Sequence, residues 1–202
     1  MKRLLLPILI LLSLPLIFQS TPTEILKLKI FDTFVKIPEP SGNFVILNIT
    51  EEDIANEGGW PLPRRTLAQI QVDLINQGAI GVGWVISFPQ ADRMGGDETF
   101  ATTLEYIPSV LAMFETPNGK YPKTTGTVIK GDNPGGMLSQ GVVQNIKILQ
   151  DKSSQGIATA PTDIDNLVRR IPLLLKTPDG YVPAFGTEVL KALTGARTYI
   201  IT

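Results

Sequence analysis

The hydrophobic pattern starts with an unbroken run and then switches between two periods. Residues 4–18 are apolar apart from Ser13, Pro7 and Pro15, and they follow the basic pair Lys2 and Arg3. The run is short against the roughly 20 residues of a spanning helix, so its length fits a membrane anchor and a cleaved signal peptide alike. Gln19, Ser20 and Thr21 can extend the span and no A-x-A cleavage site follows, which favours an anchor at 1–20 with its N-terminus in the cytoplasm. In 24–37, Leu28, Phe31 and Val35 fall at helical spacing beside Ile30, Phe34 and Ile37, predicting a helix or extended stalk that Pro38 and Pro40 end. The juxtamembrane stalk is thus expected over 21–43.

Residues 44–49 form a compact, β-branched apolar run, the pattern of a buried strand. Pro63 suits the first position of a helix running to about Gln77, with Leu67, Ile70, Leu74 and Ile75 on its inner stripe and Gly78 as its positive-φ stop. An apolar strand over 80–88 then completes a βαβ unit. A helix over 97–106 and a strand over 109–114 repeat the pattern. The stretch 115–140 is broken by repeated Pro and Gly and is expected to be a flexible insertion or functional flap. Further strands are expected over 142–150, 156–160 and 168–176, a tight turn at Thr177-Pro178-Asp179-Gly180, a helix over 184–194 closed by Gly195, and a last strand over 198–202. The fold class that follows is α/β: a mainly parallel sheet with flanking helices and a C-terminal hairpin-helix unit, preceded by one N-terminal membrane helix. The sequence stops inside a strand-like run, as a truncated chain would.

Composition narrows the chemistry. The 202 residues include no Cys and no His, which removes disulfides, Cys/His zinc sites, Ser-His-Asp and Cys-His catalysis and phospho-accepting histidine. Lys and Arg number 18 against 19 Asp and Glu, so no charge excess points to nucleic acid. Carboxylate or Lys/Arg chemistry, oxygen-ligated metal, or binding without reaction remain.

The candidate motifs are weighed by their context. The glycines of Gly78-Ala79-Ile80-Gly81-Val82-Gly83 close a helix and enter a strand, the reverse of a dinucleotide loop. Asp163-Ile164-Asp165-Asn166 opens like a calcium loop, but Val168 and Leu174 stand where Gly and Glu are required. Asp92, Asp97 and Glu98 could meet at an oxygen-ligated metal or simply cap the helix near Asp97. Arg169 and Arg170 could clamp a phosphate or carboxylate, or face acidic neighbours. Asn48-Ile49-Thr50 matches a glycosylation sequon, and Trp60 reads as a core plug over the strand edge.

Gly59-Trp60-Pro61-Leu62-Pro63-Arg64, the helix end at Gly78-Ala79, and Val82-Gly83-Trp84-Val85-Ile86-Ser87-Phe88 followed by Asp92-Arg93 resemble the CHASE-type extracytoplasmic sensory domain, second subtype. Asp97 through Ala101 resembles that family's Asp-led helix start. Asp163-Ile164-Asp165-Asn166-Leu167-Val168-Arg169-Arg170-Ile171-Pro172-Leu173 resembles its Asp-x-Asp-Gly-x-x-Arg-Arg-x-Pro-Leu signature, with Asn166 in place of Gly. The resemblance implies a periplasmic or extracellular input module of a membrane-bound receptor, most often an adenylate or guanylate cyclase and otherwise a kinase. The resemblance runs from about residue 4 to 195 outside the 115–140 insertion, and the sensory domain is expected over 44–202.

Three usually polar family positions differ: Thr50 and Val85 stand where Asp is usual, and Leu67 where His is usual. No site is therefore carried over. The candidate ligand-binding residues are Arg64, Asp163, Asp165, Arg169 and Arg170, with no catalytic residue, metal or cofactor expected. The expected partners are a small-molecule or ionic stimulus, a second copy in a homodimer, and the membrane, but no nucleic acid. Two other readings stay open: a secreted or anchored binding or structural protein with no effector, and a carboxylate hydrolase using Asp163, Asp165 or Asp92. The hydrolase requires two carboxyl groups in a cleft with their pKa values pushed apart.

Overall fold

The computed structural model describes residues 21–123, 126–130 and 135–201. The expected anchor at 1–20 lies outside them. Among the described residues no helix is long and apolar enough to cross a membrane. The chain divides into two compact units, one combining the residues up to Leu47 with Pro161–Arg170, the other Asn48–Ala160 with Ile171–Thr202.

In the first unit, helix α1 (Thr21–Phe34) follows the helical spacing of its apolar residues, but only Leu28 is buried. Residues 44–49, expected as a strand, pair with nothing: Phe44, Val45 and Ile46 are 68%, 92% and 85% exposed. An unbroken β-branched run specifies extended backbone but supplies no partner edge, and no ladder forms here. The Pro161–Arg170 segment is a tight loop. The Asp163 N–H donates to Leu167 O at 2.9 Å and the Asn166 N–H to Asp163 O at 2.9 Å, with Asn166 at φ 62°.

The second unit is an α/β body built on strand β2 (Ser109–Lys120), which runs past the expected end of the third strand. β1 (Val82–Trp84) pairs with it in parallel on Val82↔Ser109 through Trp84↔Leu111, and β5 (Ser154–Ile157) in parallel on Val110↔Ser154 through Met113↔Ile157. The short β4 (Val142–Val143) pairs antiparallel near Glu115. A parallel sheet with flanking helices is therefore present, and its β-α-β unit is β1, α4 (Asp97–Leu104), β2, one element later than the sequence pattern placed it.

One sheet face is covered by α3 (Arg64–Asn76), α4 and the short α5 (Lys147–Gln150) around Leu67, Trp84, Phe88, Phe100, Leu104, Leu111 and Leu149. Phe100 meets Trp84 and Phe88 edge-on at 5.4 and 5.5 Å. α3 begins one residue later than expected, with Pro63 as its N-cap rather than its first helical residue, while the stop signal holds: Gly78 has φ 94°. Its buried stripe is Arg64, Leu67, Ala68 and Gln71 rather than Ile70, Leu74 and Ile75, because Gln71 is satisfied inside. It accepts from Trp84 Nε1 at 2.8 Å and donates to Ser109 Oγ at 2.9 Å. A glutamine with both ends bonded costs little to bury.

α6 (Phe185–Thr194), closed by Gly195 at φ 67°, packs on the other face. It lies against glycines: a Cβ on Gly156 would come within 2.6 Å of Phe185 Cα. The hairpin β6 (Leu174–Thr177) and β7 (Gly180–Pro183) forms around the expected Pro178-Asp179 turn. β6 begins later than 168 because Ile171 and Leu173 stay exposed. β8 (Tyr199–Ile201) pairs in parallel with β3 (Thr127–Ile129), so the expected 115–140 insertion carries strand over 115–120 and 127–129. The expected strand over 142–150 breaks after Val143 into α5, since Asn145 turns inward to accept the Phe88 N–H at 2.6 Å and donate to Ala112 O at 3.1 Å. Trp60 is 57% exposed and plugs no core; Trp84 does that instead. α2 (Glu51–Asn56) was not foreseen.

Candidate functional site

The five candidate residues fall in two places. Asp163, Asp165, Arg169 and Arg170 meet in the first unit, and Arg64 stands alone of the five in the second.

Arg169 has a side chain 6% exposed. An arginine carries five N–H donors, and here all five are spent on carboxylates. Nε and Nη2 grip Asp32 at 2.8 Å each, Nη1 reaches Asp163 at 3.1 Å and Asp165 at 2.7 Å, and Nη2 reaches Asp165 at 2.7 Å. Arg170 adds a 3.1 Å bond to Asp163. Hydrogen bonds from Arg169 hold the Asp165 carboxyl down at about 2 and the Asp32 carboxyl below its ordinary value, and they raise Arg169 itself. The two arginines therefore face acidic neighbours, and Arg169 has no donor left for an anion. Asp32 was missed by sequence reasoning; its only signal is that it lies four residues after Leu28, on the inner face of α1.

Arg64 opens α3 with its side chain 8% exposed. Its backbone N–H donates to Asp92 Oδ2 at 2.9 Å, Asp92 Oδ1 accepts the Met94 N–H at 3.0 Å, and Asp97 Oδ2 accepts the Asp92 N–H at 2.8 Å. Both aspartates thus fasten the loop between β1 and α4. Burial pushes the Asp92 carboxyl up, but bonds from the Arg64 and Met94 N–H groups and nearby guanidinium charge outweigh it, leaving it below its ordinary value. The guanidinium lies over the Phe88 ring at 4.3 Å and lines a cleft of about 840 Å³ with Trp60, Leu67, Val85, Phe88 and Phe114. Glu98 is exposed and joins no group with Asp92 and Asp97. Among the described residues no set of acidic side chains could hold a metal.

The CHASE2 domain family matches residues 7–201, nearly the whole sequence. The chain belongs to the CHASE2 family. CHASE2 domains are extracytoplasmic sensory domains of signalling receptors and are not catalytic. Searches of curated proteins and of solved structures return no match. Two of this CHASE2 domain's departures now have physical readings. Asn166 replaces Gly at φ 62°, the left-handed region that Asn tolerates best after Gly. Thr50 replaces Asp as the N-cap of α2, where it completes a capping box with Asp53: Thr50 Oγ1 accepts the Asp53 N–H and Asp53 Oδ2 accepts the Thr50 N–H. That position keeps its polar role. Leu67 is core and Val85 is exposed.

Proposed function

We propose that this chain is the sensory input domain of a membrane-bound receptor whose effector is an adenylate or guanylate cyclase. The observation that carries the reading is the CHASE2 match over residues 7–201. Residues 1–20 anchor the chain with the N-terminus in the cytoplasm, and residues 44–202 lie in the periplasm or extracellular space as a homodimer. A small-molecule or ionic stimulus binds one state of the domain better than another, since only differential affinity shifts an equilibrium. The Arg169 cluster supports the coupling step, because it fastens α1, next to the anchor, to the loop connecting β5 with β6. Asp92 and Asp165, two of the carboxylates a hydrolase would use, are both held low, so neither serves as the raised acid of an acid–base pair.

An alkaline phosphatase fused after Thr202 tests the orientation. Enzyme activity in intact cells is expected; an inactive fusion whose fluorescent-protein counterpart glows in the cytoplasm overturns the reading. The natural reading frame beyond residue 202 tests the effector, where a cyclase domain is expected.

A further inference from the structure

Arg64 and Arg169 are comparably buried and differ in what their donors do. Every N–H of Arg169 is taken. Arg64 makes one side-chain hydrogen bond among the described residues, from Nη2 to Gln90 O at 3.4 Å. Its Nε forms an ion pair with Asp97 Oδ1 at 3.3 Å that lacks hydrogen-bond geometry, and Nη1 makes no hydrogen bond among the described residues. A guanidinium that lines a cleft with donors to spare can take a further acceptor there. Burial is the main influence on this side chain and lowers its pKa, against the opposing pull of Asp97 and Asp92.

The surroundings define what would complete it. The cleft's volume lies within the range of small-molecule sites, and its walls combine apolar side chains such as Trp60 and Val85 with the charged Glu57, Asp92 and Arg93. Asp92 and Asp97 already place negative charge nearby, but three of their oxygens are occupied by backbone N–H groups, which leaves Asp97 Oδ1 as the oxygen paired with the guanidinium. A dianion would be repelled by that pair. A single planar carboxylate adds one charge and matches the guanidinium fork.

We infer that the cleft beside Arg64 is the stimulus site and takes a small organic acid, its carboxylate on the free donors of Arg64 and its apolar body against Trp60, Val85 and Phe114. This deepens the sensory reading and rests on it.

The chain has two tryptophans, Trp60 in the cleft wall and Trp84 in the core, so binding can be read optically. The full chain in detergent micelles is titrated with phenylacetate and hexanoate, and with phenylacetamide and hexanamide as neutral isosteres. At least one acid should change the tryptophan emission and raise the melting midpoint, with its amide roughly tenfold weaker or more. Trp60→Phe should abolish the emission change while calorimetry still detects binding, and Arg64→Met should abolish binding itself. Equal binding of acid and amide, no response to either acid, or binding that survives Arg64→Met overturns the site. If Arg64→Met does not fold, the acid–amide comparison on the natural chain decides. A null result with an exported domain removes this site and leaves the sensory reading standing. A cytoplasmic domain removes the sensory reading whatever the titration gives.

Discussion

Arg169 and Asp32 stand 137 positions apart in the sequence and meet through two parallel 2.8 Å hydrogen bonds. Bidentate geometry of this kind is specific to a guanidinium and a carboxylate. Lysine at 169 keeps the charge but cannot grip Asp32, Asp163 and Asp165 together. Arg169→Lys should therefore speed amide hydrogen exchange in α1 while leaving exchange in β2 unchanged, read by mass spectrometry. Equal protection of α1 in both proteins would contradict the clamp.

The same cluster sets an acid limit. Asp165 titrates at about 2 and Asp32 below its ordinary value when folded, against about 3.9 in an unfolded chain. Carboxyls depressed by folding stabilise the folded state above the unfolded value and lose that contribution as pH falls through the folded one. Exchange protection of α1 should be constant above about pH 5 and decline from about pH 4 towards pH 2. Asp32→Asn should remove part of that dependence.

Tyr199 donates a 2.7 Å hydrogen bond to Glu188 Oε2, and Lys191 pairs with the same carboxylate at 2.8 Å. Glu188 is 3% exposed, so Tyr199→Phe leaves a buried charge short of a donor. A cost of about 1.5–3 kcal/mol is expected, seen as a fall of several degrees in the melting midpoint. Burial and the neighbouring Glu188 raise the Tyr199 pKa. A group raised by folding stabilises below its unfolded pKa, so the natural chain should lose stability as pH climbs beyond about 10, and the Phe variant should lose less.

The two strand glycines under α6 should respond differently to alanine. At Gly156 the added Cβ meets Phe185 Cα at 2.6 Å, whereas at Gly83 the nearest atom is the Phe185 ring tip at 2.9 Å. Backbone cannot turn aside and a ring can. Gly156→Ala should cost about 1–3 kcal/mol and Gly83→Ala distinctly less, by denaturant unfolding of both.

Asn166 tests the signature loop. At φ 62° glycine is at ease, and a β-branched residue loses about 1–2 kcal/mol. Asn166→Gly should be close to neutral in thermal unfolding, and Asn166→Val clearly destabilising.

What the sequence made legible was local. Gly78 and Gly195 end helices because positive φ is a property of one residue, and Pro178-Asp179 turns the chain on the same ground. The parallel β1–β2 pairing followed from alternating strand and helix patterns. Partners far apart in sequence were not legible. The 44–49 run has the composition of a strand, but composition does not name an edge to join. Gln71 is polar and buried because Trp84 and Ser109 wait for it, 13 and 38 residues away. Of the site residues, the four in the 163–170 signature were found together because they lie within one short segment, while Asp32 was invisible. Arg64 was found as a residue, but its link to Asp92 and Asp97 was not, because those two read as a cap or a metal pair.

The exposed stretch between α1 and α2 is open to a protease. A cut there would leave the Asp32–Arg169 pair as a non-covalent tie, and with the Asp32 side chain 42% exposed such a tie is too weak to retain the severed piece, so a nick should release α1.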